Sequence, residues 1–292
     1  MATQNVQAER SSFLQEAVKT LVVIVVLSVL LVIVGWTTSQ IGVLGERLHA
    51  LAGIDAPPVF AWIENLAPAI AVVTWVAMAL GAAYLIFAAS KKQRETLAEN
   101  WSTLNVIQGI IAAAVLAGLT GYLWAIWNPV PILPPFIHLR IFSFLIGVWG
   151  IVLGRATGFL TGYFGSIVWA LVAGYFVLPH TPVADGFWVG AMTGWFVSVV
   201  VRGGKSRDAL LAEIDANRWR YYVKCGLVGL IGGLVMSFFV AASLKVTTPL
   251  SWWASFWAIG ALSDTLPMVI WIGPVSEAAL RLTRRLTWLP NF

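Results

Sequence analysis

Five ionisable side chains stand out in a chain that has few of them: His138, Arg140, His180, Asp185 and Asp264. A guanidinium with carboxylates and imidazoles close by is suited to recognising and orienting a polar ligand through charged hydrogen bonds. Near the same ends of their apolar runs stand Trp124, Trp127, Asn128, Trp188, Trp253 and Trp257. Two readings fit this set. In one, the rings stack on a flat organic substrate in a pocket open to the outside, and the polar groups orient it. In the other, the tryptophans form an interfacial belt and the charges sit among lipid headgroups. Asp264 belongs fully to neither reading, because it lies about a dozen residues into the last apolar run, some 18 Å along a helix axis. An ionised carboxylate there needs a partner, either a ligand or a polar group on another helix. Pro267 and Pro274 interrupt the backbone ladder next to it.

These side chains need a scaffold, and the composition specifies what kind. Of 292 residues, 59% are hydrophobic and 11% charged, with a mean hydropathy of +0.85, which excludes an ordinary soluble domain. The apolar runs are long and do not alternate, so the expected fold is an all-α polytopic membrane protein and not a barrel. The runs predict about eight transmembrane helices: Thr20–Trp36, Leu66–Ala89, Leu104–Trp127, Ile141–Leu153, Gly158–Leu178, Phe187–Val201, Cys225–Leu244 and Trp252–Leu280. Residues 1–100 are expected to form a two-span appendage with a basic linker from Lys91, and 101–292 a six-span bundle. Thr37–Glu64 and the stretches from Asn128 and from Pro179 read as loops. The glycines at 150, 154, 158 and 162 lay a bare backbone stripe along one helix side. Arg155 divides this run and implies a tight turn at the membrane surface.

Arginine and lysine cluster in every second segment between these spans, and so on one side of the membrane. With both termini in the cytoplasm, only Arg47, Arg140 and Lys245 remain outside, as expected for a multi-pass protein of a bacterial cell (inner) membrane. The net charge of +5 is then accounted for by membrane lipid, with no nucleic acid. Glu277 and Arg281 read as a surface ion pair. The sequence RGGKS at Arg202–Ser206 ends like a phosphate-binding loop, but Val199 occupies the place of its first glycine. It reads better as the start of an amphipathic helix, with Ser206 as N-cap and Leu210, Leu211 and Ile214 on one face. The lone Cys225 forms no disulfide within the chain and the histidines have no metal-ligand spacing. No nucleophile, base and orienting acid assemble, so no enzyme, catalytic residue, metal or cofactor is expected.

Three stretches carry a resemblance to a known family. They are IIAAAVLAGLTGYL from Ile110, FSFLIGVWGIVLGRATGFLTGYFGSIVWALVAG from Phe142, and DGFWVGAMTGWFVS from Asp185. The six-span region resembles the substrate-binding S components of energy-coupling-factor (ECF) transporters, with Arg155-Ala156 in place of the commoner Gly-Pro turn. The resemblance implies capture of a vitamin or related micronutrient at the outer face. It also implies docking through Ala113 and Ala117 on a coupling membrane subunit that works with separate ATPases. The pocket would draw on Trp124, Trp127, Asn128, His138, Arg140, His180, Asp185, Trp188, Trp253 and Trp257. The alternative is a non-catalytic scaffold, or a pigment- or lipid-binding subunit of a larger membrane complex. An ion-coupled carrier ranks below both, because no inverted repeat of spans is evident.

Overall fold

A computed structural model describes residues 57–100, 103–126, 131–133, 137–138, 140, 142–172, 176–247 and 251–285. The expected first span, Thr20–Trp36, lies outside the described residues. The described chain is helical apart from short connecting turns and a two-stranded ladder between β1 (Pro131–Leu133) and β2 (Ile137–His138). Helix α1 (Ala61–Asn100) follows a tight turn at Pro58–Phe60, and α2 is Thr103–Ile126. After the ladder come α3 (Phe144–Leu153), α4 (Arg155–Val172) and α5 (His180–Arg202), then α6 (Arg207–Ala216), α7 (Arg218–Thr247) and α8 (252–283). Among the described residues, three helices are long and apolar enough to cross a membrane: Pro58–Leu80, His180–Arg202 and Arg218–Thr247. The all-α, membrane-spanning class holds.

Helices α2, α4, α5, α7 and α1 pack in succession, and α3 fills the middle against α4, α5 and α8. Every α3 residue except Trp149 and Leu153 is buried. The glycine stripe explains how a short helix can be enclosed so closely. A β-carbon placed on Gly158 would stand 2.6 Å from Gly150 Cα and 3.0 Å from the Gly194 carbonyl oxygen. One on Gly162 would stand 2.7 Å from Gly190 Cα. Three helix backbones therefore meet with no side chain between them. The turn expected at Arg155 is present. Gly154 takes φ +101°, a conformation that disfavours a β-carbon, and Arg155 beyond it is exposed.

Three expected boundaries are corrected. The loop from Pro179 ends almost at once, because α5 begins at His180 and not at Phe187. Pro182 stands in its first turn, where no backbone donor is missed. Likewise Glu64 is not in a loop but in the first turn of α1, and α3 begins at Phe144 instead of Ile141. The amphipathic helix is confirmed as α6: Ser206 Oγ accepts from the Ala209 amide, and Leu210, Leu211 and Ile214 are buried.

Two basic residues expected among lipid headgroups act instead as caps. Arg202, 5% exposed, donates from Nη1 to the carbonyls of Ile151 and Val152 at the end of α3. Arg207, 4% exposed, donates to the Thr283 carbonyl at 2.8 Å at the end of α8. A guanidinium satisfies orphan C-terminal carbonyls and matches the negative end of the helix dipole. Glu277 is also corrected: it is buried, accepting from Tyr222 Oη at 2.6 Å and pairing with both Arg281 and Arg218.

Candidate functional site

Arg140 lies between β2 and α3, two residues beyond the ladder. Its backbone amide donates to Ser263 Oγ at 3.0 Å, while Ser143 Oγ donates to the Asp264 carbonyl at 3.0 Å. These two bonds fasten the start of α3 to α8 and bring Arg140 beside Asp264. The guanidinium lies over the Trp169 ring of α4, 4.1 Å from its centroid, a cation–π contact strengthened by loss of water.

Both aspartates end a wide helical turn. In α5, the Gly186 amide reaches back to the Thr181 carbonyl, and in α8 the Thr265 amide reaches back to Gly260, five residues in each case. Such widened turns aim side chains that a regular helix would direct elsewhere. Here Asp185 closes the first wide segment and Asp264 the second. Arg140 Nη1 stands 3.7 Å from Asp185 Oδ1 and 3.6 Å from Asp264 Oδ2. Exposure is 5% for Arg140, 1% for Asp185 and 2% for Asp264, so the cluster is closed to solvent. Ser166 Oγ donates to Asp185 Oδ2. Asp185 Oδ1, both carboxylate oxygens of Asp264 and Arg140 Nη1 have no hydrogen-bond partner.

His180 is buried next to this cluster, with Nδ1 at 3.1 Å from Ser243 Oγ, and the same hydroxyl accepts from Trp75 Nε1 at 3.0 Å. A chain of polar contacts thus joins α1, α7 and α5. Glu64 anchors the other side, accepting from the amides of Trp252 (3.2 Å) and Trp253 (2.7 Å) and from Lys245. It caps the N-terminus of α8, where a carboxylate is favoured.

The structure divides the residues that the sequence grouped together. Arg140, Asp185 and Asp264 converge, with His180 alongside. Trp124 is buried in the surrounding apolar core. Trp188 stacks on Phe239 of α7, with centroids 4.0 Å apart and planes 3° from parallel. Trp253 stacks on Phe60 and on Trp257, forming an aromatic ladder between α8 and the start of α1. These rings bind helix to helix. Trp127 and Asn128 lie outside the described residues, as do the side chains of His138 and Ala113. Ala117, 1% exposed, packs against Gly165 of α4, which corrects its expected place on an open docking face.

Sequence reasoning missed Trp169, Ser166 and Ser263. The first two had a legible signal: Ser166 ends the glycine run, and Trp169 follows one helical turn later on the same face. Among the described residues no group of histidine, cysteine and acidic side chains could hold a metal ion. Comparison of the chain with models of known families, with curated proteins and with solved structures finds no match.

Proposed function

We propose that this chain is a membrane-embedded substrate-capture subunit of the ECF type, binding a small vitamin-like molecule at Arg140, Asp185 and Asp264. The observation that carries this reading is the cluster itself: one guanidinium and two carboxylates, almost fully desolvated, with four polar atoms lacking hydrogen-bond partners. Buried charges left this way are costly and are kept where they serve a site. On this reading the chain crosses a bacterial cell membrane eight times, with two spans preceding a six-span bundle and both termini in the cytoplasm. The cluster then lies towards the outer face, beneath the segment holding β1 and β2. A coupling subunit with separate ATPases supplies the energy, and the chain performs no catalysis.

One observation favours the rival scaffold: the tryptophans expected to line a pocket are stacked between helices. Mild purification, denaturation and mass spectrometry of the released small molecules separate the two. A stoichiometric micronutrient, lost on Arg140→Ala, supports capture. Lipid or pigment alone, with co-purifying membrane proteins that are not ATPases, refutes it.

A further inference from the structure

The unsatisfied atoms of the cluster also define what would satisfy them. With Arg140 positive and both aspartates ionised, the cluster carries a formal charge of −1, from one cation and two anions. Arg140 stands 3.6 and 3.7 Å from its two partners, outside hydrogen-bond reach of either. It is held there by its backbone bond to Ser263 and by the Trp169 face. Ser166 supplies one donor to Asp185, and three carboxylate oxygens are left without any.

We infer that the ligand of this site presents a protonated nitrogen group with at least three N–H donors, an ammonium or amidinium cation, to Asp264 and Asp185. An acceptor on the same molecule, or a water carried with it, meets Arg140 Nη1. Such a ligand brings the charge to zero and fills all three carboxylate positions. An anionic ligand would set a third negative group against two carboxylates and a single guanidinium. This inference rests on the capture reading above and adds to it the chemical class of the substrate.

It follows that Asp264→Asn removes the surplus charge. The variant should lose the ligand and yet melt higher than the wild type when both are ligand-free, because the remaining Arg140–Asp185 pair is neutral. Loss of fold cannot produce that combination. The test uses the full chain in mild detergent with two readouts: the charge at neutral pH of the molecule released on denaturation, and thermal shifts with benzamidinium or benzoate as probes. The expected result is a released cation, stabilisation by benzamidinium and not by benzoate, and affinity about tenfold weaker or worse in Asp264→Asn and in Asp185→Asn. A released molecule that is anionic or neutral overturns the inference and leaves capture intact. Wild-type affinity in Asp264→Asn likewise overturns the inference alone. A wild type that releases nothing and responds to neither probe overturns both readings.

Discussion

Replacing Gly158 with alanine tests whether direct backbone contact holds the centre of this fold. The new β-carbon would stand 2.6 Å from Gly150 Cα, whereas ordinary contact begins near 3.4 Å, so α3 and α4 must separate by about 0.8 Å there. The next obstacles, the Gly194 carbonyl oxygen and carbon at 3.0 and 3.1 Å, are also backbone, and no side chain can rotate away to make room. Overpacking of a close-packed core costs about 1–3 kcal/mol. Alanine returns up to about 1 kcal/mol through its helix propensity. Gly118→Ala in α2 is the control, because its β-carbon meets nothing within 4 Å and only the propensity gain remains. The two variants should therefore differ by about 1–3 kcal/mol, or roughly 2–12 °C in melting temperature at about 2–4 °C per kcal/mol. Near-ultraviolet circular dichroism during heating in mild detergent reads this directly, since the tryptophans report tertiary packing. Equal melting temperatures for Gly158→Ala and Gly118→Ala would refute the reasoning.

Arg202→Ala strips a charged cap from the Ile151 and Val152 carbonyls and should cost about 1.5–3 kcal/mol. Arg155→Ala, at an exposed position, should stay within about 0.5 kcal/mol, and comparing the two melts checks both values. Glu64→Ala leaves the Trp252 and Trp253 amides without their acceptor. Hydrogen exchange at those two amides should accelerate by about tenfold, for a loss near 1–2 kcal/mol, and unchanged exchange would count against the cap. On α6, the hydrogen bond from the Lys205 ammonium holds the Glu213 carboxyl below the usual carboxylate range. A depressed folded value contributes stability above the unfolded value of about 4.3, and that contribution disappears as pH falls through the folded one. Glu213 is about a third exposed, so the effect is below about 1 kcal/mol. Lys205→Met should lower the neutral plateau of a stability–pH curve by that amount and leave its most acid end in place, so that the acid limb between them is slightly flatter.

Local patterns carried much of the fold. The glycine spacing and Arg155 foretold the α3–α4 turn and its bare seam, and Ser206 with Leu210, Leu211 and Ile214 foretold α6. In each case the deciding residues are neighbours in sequence, so a periodicity or a cap motif is enough. The site was legible only as a roll of candidates. Arg140, Asp185 and Asp264 were all singled out, yet the same reasoning placed Trp253 and Trp257 with them, and these belong to another aromatic ladder.

What the sequence determined by itself is the class: a helical membrane protein with too few charges for water and too regular a run of small residues for loose packing. The tertiary structure decided which charges meet. The widened turns ending at Asp185 and Asp264 leave no mark in hydropathy, because they redirect a side chain without changing which residues are apolar. Nor can charge alone tell Arg202 and Arg207, buried as helix caps, from Arg155, exposed at a turn. A guanidinium has the same hydropathy in all three places, and only the carbonyls brought within reach of it by other helices determine its role.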